Sequence, residues 1–203
     1  MAKGSSTVFV IDDDASVREA VTDLLESVGM KATVFASTEE FLSRVQGEVP
    51  SCLVLDIRLP GMNGLEFQEE LRRRRMEIPI VFITAHGDVR MTSRAFRGGA
   101  VEFLTKPFQK DELLAAIGEA VERDAARREQ SEALSELSSR FSTLTARERQ
   151  VMALVTAGLT NKQAAAKLGV QEITIKVHRA RVMEKMQADS LPELVRLAEK
   201  LKN

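Results

Sequence analysis

The chain of 203 residues carries 29 Lys and Arg against 30 Asp and Glu and is 44% hydrophobic, which excludes wholesale disorder and leaves room for one large domain or two small ones. No apolar run approaches the roughly 20 residues of a membrane helix, so a cytoplasmic protein with no signal peptide and no membrane partner is expected. The lone Cys52 excludes an internal disulfide, and with only His86 and His178 beside it there is no ligand set for a structural zinc.

The near-zero net charge hides an asymmetry. Residues 141–203 hold 11 of the 29 basic and 6 of the 30 acidic residues, about +5, which leaves the preceding part at −6. Only the second part is then suited to face a polyanion.

Residues 8–11 form a short apolar run that stops at three aspartates. Val17, Ala20, Val21, Leu24, Leu25 and Val28 follow at helical spacing until Gly29. The alternation repeats at 32–35 with a helix from Thr38, at 52–55 with a helix from Gly64 to about Arg74, and at 80–83 with a helix from Val89 to Arg97. A fifth unit has its strand at 101–104 and a helix from Asp111. Strands that are apolar throughout predict a parallel sheet covered on both faces, with the chemistry at the carboxyl ends of the strands.

Residues 119–140 read as a polar extension of the fifth helix, supported by Glu119 with Arg123 and Asp124 with Arg128 at i,i+4. Its sparse apolar positions, Val121, Leu134, Leu137 and Phe141, fit either part of a dimer seam or a solvated connecting helix. Four further helices follow, at 145–157, 161–168, 172–186 and 191–201, broken at Gly158 and Gly169. Thr145 and Glu148 have capping-box spacing, and the two helices around Gly169 match a helix-turn-helix.

Asp12 and Asp13 end the first strand and Asp56 ends the third, so a parallel sheet brings three carboxylates to one edge. They repel unless a cation sits among them, and an all-oxygen set prefers a hard ion such as Mg²⁺. Thr84 ends the fourth strand and Lys106-Pro107 follows the fifth. A hydroxyl and an ammonium there can grip the oxygens of a transferred phosphoryl group. Together these parts predict a phosphoryl-accepting site, in which the carboxylate most exposed to the incoming group is the nucleophile and becomes an aspartyl phosphate. Singly, each residue has a plainer reading: a helix cap for an Asp, a loop for Lys-Pro, core packing for Thr84 or Phe103. Their joint occurrence at five strand ends is what points to chemistry. His86 lines the pocket mouth or is an ordinary loop imidazole.

The segments VFVIDDD, LVLDIRLPGMNGLE, VFITAHGD and GAVEFLTKPF, in that order, resemble the receiver domain of two-component response regulators over about residues 6–122. The resemblance implies that Asp56 is phosphorylated and that Asp12 and Asp13 are the acid pair. It implies Mg²⁺, or another hard divalent cation such as Mn²⁺, at Asp12, Asp13, Asp56 and the backbone carbonyl of Arg58. It makes Thr84 the switch hydroxyl, Phe103 the switch aromatic, Lys106 the phosphate-contacting cation and the Lys106-Pro107 peptide cis. Asp14 lies beyond the pair and receives no metal role.

The segment LTARERQVMALVTAGLTNKQAAAKLGVQEITIKVHRARVMEKM resembles the LuxR-type helix-turn-helix of the FixJ/NarL class, and with SLPELVRLA it is similar to the FixJ group. By that resemblance Lys176, Val177 and Ala180 face bases. Thr160, Asn161, Lys162, Gln171, Thr174, Arg179, Arg181 and Lys185 are candidates for phosphate contacts, which position without specifying sequence. Ala180 departs from relatives with Lys there, so their site preference does not carry over. On the same helix Ile173, Ile175, Val182 and Met186 are available for the core, and His178 is a packed or capping imidazole.

The expected architecture is α/β: a five-stranded doubly wound parallel sheet of the flavodoxin or CheY-like receiver type at 1–122, a helical linker at 123–140, and an all-α four-helix DNA-binding domain at 141–203. The implied function is transcriptional regulation. A sensor histidine kinase donates to Asp56, the receiver forms a homodimer through its fourth helix, fifth strand and fifth helix, and the pair binds promoter DNA. RNA polymerase is a further partner, and activation is the implied sign. No enzyme activity is expected beyond the receiver's own phosphoryl transfer and slow dephosphorylation. A metal-dependent phosphatase of the haloacid dehalogenase type is the alternative from another class, but it needs an Asp two residues after the nucleophile, where Arg58 stands. A regulator that works without phosphorylation is the third reading.

Overall fold

The computed structural model describes residues 6–45 and 50–201; the outer limits expected for the domains, residues 1 and 203, lie outside them. The chain separates into two compact units, Met1–Arg128 and Glu129–Asn203. In the first, β1 (Thr7–Ile11), α1 (Ala15–Ser27), β2 (Lys31–Phe35), α2 (Thr38–Arg44), β3 (Ser51–Asp56), α3 (Gly64–Arg73), β4 (Ile80–Thr84), α4 (Val89–Arg97) and β5 (Glu102–Thr105) alternate, and α5 (Lys110–Ser142) follows. All strand pairs are parallel, in the order β2-β1-β3-β4-β5.

Successive side chains of a strand point to opposite faces. Phe9, Ile11, Leu53, Leu55 and Phe82 pack on one face with Phe41 of α2 and Leu65, Phe67 and Leu71 of α3. Val8, Val10, Cys52, Val54, Val81 and Ile83 pack on the other with Val21 and Leu25 of α1 and Leu113 and Ile117 of α5. Both sets are apolar, which is why these strands show no polar alternation, and β1, β3 and β4 are buried at every position. The chain goes from β1 to β2 on one side and returns to β3 on the other, so a crevice opens at the carboxyl ends of β1 and β3.

The middle of α5 is tied to the sheet by a buried carboxylate. Asp124 is fully buried and accepts from the Ser51 amide at 2.9 Å, from Arg127 Nη2 at 2.6 Å and from Arg128 Nε at 2.7 Å. Burial opposes its charge, but the two guanidiniums and the amide together hold its carboxyl below the usual range. The expected Asp124–Arg128 pair therefore anchors the helix to the head of β3 as well as supporting it. Of the sparse apolar positions on this helix, Val121 packs in the first unit's core, Leu137 and Phe141 pack in the second's, and Leu134 stays exposed. Both ends of the 123–140 stretch are thus taken up by the two units.

The second unit contains α6 (Ala146–Thr156), α7 (Asn161–Leu168), α8 (Glu172–Met186) and α9 (Leu191–Lys200). Capping boxes close the N-termini of α6 (Thr145 with Glu148) and α7 (Thr160 with Gln163), and Gly169 turns α7 into α8 with a left-handed φ of 65°. Val151, Met152, Val155, Ile175, Val182, Met186 and Leu194 form the core. Beneath it, the Glu148 carboxylate is 2% exposed and pairs with Lys185 Nζ at 2.7 Å, and this ammonium holds the carboxyl down to about 2. Ile173, expected in the core, is instead 61% exposed. At about 100° per residue it lies some 200° from Ile175, so the two cannot share a face.

Candidate functional site

Ile11 and Leu55 are partners in the β1–β3 ladder, which brings the next residues, Asp12 and Asp56, to the same edge. Carboxylate oxygens of Asp12, Asp13 and Asp56 lie within 4.8 Å of one another. Lys106, just past β5, reaches over this edge and donates to Asp12 Oδ2 at 2.6 Å and to Asp56 Oδ2 at 3.0 Å. Its own amide donates to the Thr84 carbonyl at 2.7 Å, and its peptide with Pro107 is cis. The remaining oxygens are held by turn amides: Asp12 Oδ1 accepts from Asp14 N at 3.0 Å and Asp56 Oδ1 from Arg58 N at 3.1 Å.

Burial is the largest influence on Asp12 and raises its carboxyl above the usual range, against the opposing hydrogen bond from Lys106. Burial also works against the Lys106 charge, but its bonds to Asp12 and Asp56 outweigh this and raise it, so the ammonium stays charged at neutral pH. One ammonium does not neutralise three carboxylates. The donor set is all oxygen, with no nitrogen or sulfur ligand, and fits a hard divalent cation.

Exposure does not single out Asp56. Asp13 is the exposed member, whereas Asp56 is 6% exposed and Asp12 is fully buried. Asp13 stands in the turn beyond β1, while Asp56 is the last residue of a central strand. Asp14 caps α1 by accepting from the Ser16 amide at 2.9 Å and hydroxyl at 2.7 Å, and these bonds pull its carboxyl down.

Thr84 is fully buried, and its hydroxyl makes only long contacts, 3.4 Å to His86 N and 3.5 Å to His86 O. The His86 side chain is exposed in the loop. Phe103, half-buried, packs its ring 6.4 Å from that of Phe82. Three residues of this site were not singled out from the sequence. Arg18 Nη1 donates to the carbonyls of Asp12 at 2.7 Å and Asp13 at 2.9 Å and so fixes the acidic turn. A Cβ on Gly64 would lie 2.5 Å from the Asp56 carbonyl oxygen, and one on Gly87 would lie 2.7 Å from the Phe103 ring. Gly64 follows the Asn63 cap as the first residue of α3, and its lack of a Cβ lets the helix start this close to the end of β3.

Residues 8–118 match the response regulator receiver domain, and residues 142–198 match the bacterial regulatory proteins of the luxR family. The chain belongs to the response regulators. It is 52% identical to nodulation protein W of Bradyrhizobium diazoefficiens, over 98% of this chain and 88% of that protein. It is 43% identical to the transcriptional regulatory protein FixJ of the same organism, over 94% of this chain and 93% of that one. The solved structure of the response regulator StyR shares 49% identity, covers 97% of this chain and 100% of its own, and superposes with a TM-score of 0.89. This response regulator is accordingly a two-component transcription regulator with a CheY-like receiver and a LuxR-type DNA-binding domain, a combination that implies a sensor kinase and DNA as partners. Receiver domains generally bind Mg²⁺ at an acidic pocket, and the aspartate cluster stands where such a pocket is found. Among the described residues of this response regulator, no helix is long and apolar enough to cross a membrane.

In its DNA-binding unit, α7 and α8 form the helix-turn-helix. Lys176, Val177, Ala180 and Arg181 are exposed on α8, as are Thr160 and Lys162 at the start of α7 and Gln171 before α8. Asn161, Thr174 and Arg179 are half-buried, and Arg179 Nη1 donates to Asn161 Oδ1 at 3.3 Å. Lys185 differs from the other expected phosphate contacts. Its ammonium already donates to Glu148 and, at 3.1 Å, to the Thr143 carbonyl, because the buried carboxylate needs a cation. His178 Nδ1 is buried with no hydrogen-bond partner among the described residues, as befits a packed imidazole.

Proposed function

We propose that this response regulator accepts a phosphoryl group on Asp56 from a sensor histidine kinase in the cytoplasm, dimerises through its receiver and binds promoter DNA to activate transcription. In this reading the receiver is 1–122, the linker 123–140 and the DNA-binding domain 141–203. The observation that carries it is the Lys106 ammonium held between the Asp12 and Asp56 carboxylates at adjacent strand ends. An Asp56 oxygen attacks the phosphorus as the bond to the donor's nitrogen breaks, and the electron pair of that bond leaves with the donor. Lys106 then exchanges a carboxylate partner for a phosphoryl oxygen. The Arg58 amide keeps the second Asp56 oxygen oriented, and Arg18 holds Asp12 and Asp13 in place. Asp12, Asp13, Asp56 and the Arg58 carbonyl would hold Mg²⁺, which when bound supplies neutralising charge for the group being transferred.

The loosely held Thr84 hydroxyl turns to a phosphoryl oxygen, and Phe103 follows it inward, which changes the face made by α4, β5 and α5. A receiver dimer on that face brings two basic domains to two half-sites, which raises affinity without new base contacts. Lys176, Val177 and Ala180 reach base edges, and Thr160, Asn161, Lys162, Gln171, Thr174, Arg179 and Arg181 position the helix on phosphates.

The test is intact-protein mass after incubation with Mg²⁺ and a small phosphoryl donor, beside Asp56→Ala. A single alkali-labile phosphoryl adduct and a donor-induced dimer are expected for the unaltered chain, and neither for Asp56→Ala. A dimer that forms equally in Asp56→Ala contradicts the proposal.

A further inference from the structure

On α8, Ile173 is 61% exposed and Val177, one turn later, 46% exposed, while the same helix buries Ile175, Val182 and Met186 completely. A water-facing helix position gains nothing from a β-branched aliphatic residue, which lowers helix propensity and leaves apolar surface wet. At about 100° per residue Ile173, Val177 and Ala180 form one stripe, with Lys176 beside it. The exposed cations Lys176 and Arg181 border this stripe and suit an apolar group embedded in a polyanion. Ile173 also stands in the first turn of α8, the part of a recognition helix that contacts base edges. The only methyl group that DNA presents in the major groove is that of thymine.

We propose that Ile173 is a specificity-determining residue of the DNA site, packing against a thymine 5-methyl group, with Val177 continuing the same apolar surface. The inference rests on the DNA-binding reading above. A methyl contact separates thymine from cytosine, which offers an amino donor and no methyl at that edge.

Duplexes are selected from a randomised pool by the full chain, with and without a phosphoryl donor and Mg²⁺, and likewise by Ile173→Ala and Ile173→Val. The wild type is expected to enrich a motif with a fixed thymine that Ile173→Ala no longer holds and Ile173→Val keeps. In the selected duplex, replacing that dT by dU removes only the methyl. The wild type is expected to lose about fourfold in affinity, the effect of one buried methyl-sized group, and Ile173→Ala to lose nothing. Because Ile173 is exposed, the variants keep the wild-type fold, checked by far-UV circular dichroism. An unchanged motif and an equal dT-to-dU ratio in Ile173→Ala overturn the proposal and leave DNA binding standing. A DNA-free change of oligomeric state in Ile173→Ala overturns it in favour of a protein contact. A wild-type chain that retains no duplex overturns the DNA-binding reading as well.

Discussion

Gly64→Ala is the sharpest test of how the fold holds the acidic pocket. The added Cβ meets backbone on its near side, 2.5 Å from the Asp56 carbonyl oxygen and 3.0 Å from Ile57 Cα. An unstrained contact needs about 3.5 Å, so α3 or the end of β3 moves by roughly 1 Å. No flexible side chain is there to yield, and overpacking of this kind costs about 1–3 kcal/mol. Alanine restricts the unfolded chain and returns about 0.4–1 kcal/mol of that. The net loss is then about 1.3 kcal/mol, or a midpoint about 0.7 M lower in urea. Because the displaced backbone carries the Asp56 carboxylate, a shift of this size also slows acylphosphate formation by about tenfold to a hundredfold. The chain has no Trp and no Tyr, so the unfolding of the receiver is followed by far-UV circular dichroism, and the adduct by intact mass. An unchanged or higher urea midpoint, with an adduct rate within about twofold of wild type, would refute the close-approach argument.

Three other outcomes follow from the same geometry. Mg²⁺ at about ten times its dissociation constant stabilises the receiver by about 1.4 kcal/mol over chelator-treated protein, and Asp13→Asn removes most of that gain in a thermal melt. Glu148→Gln removes the anionic partner of Lys185, which stays bonded to the Thr143 carbonyl, and destabilises the DNA-binding unit by about 1.5 kcal/mol in urea. The Glu148 carboxyl is held down to about 2, below its unfolded value, so its stabilisation is complete above that unfolded value and is lost as pH falls toward 2. The wild-type acid limb is therefore steeper than that of Glu148→Gln, and equal limbs would contradict the pairing. Phe67→Ala empties a fully buried position against the Phe41 ring, 5.7 Å away between centroids, and lowers receiver stability by about 3–5 kcal/mol.

The receiver was legible because its three central strands are short apolar runs buried on two sides, and because reactive residue types stand where the strands end. Asp12, Asp56 and Lys106 were readable as strand-end residues, and the structure brings their side chains into contact. Arg18, Gly64 and Gly87 were not, because an arginine that binds carbonyls and a glycine that makes room for a neighbour leave no residue-type signature. On α8 the apolar positions were counted correctly but their faces were not, and Ile173 was assigned to the core when it points outward.

By itself the sequence determined the succession of five β/α units and four helices, the caps and glycine breaks between them, and the charge of each half, because these depend on local periodicity and on residue type. Only the tertiary structure decided that Lys106 sits between Asp12 and Asp56, that Asp124 is buried against the head of β3, that Lys185 belongs to Glu148, and which face of α8 is free. Each of those depends on which residues from distant parts of the chain come within hydrogen-bond or packing distance, and that is set by sheet order and helix rotation rather than by any local pattern.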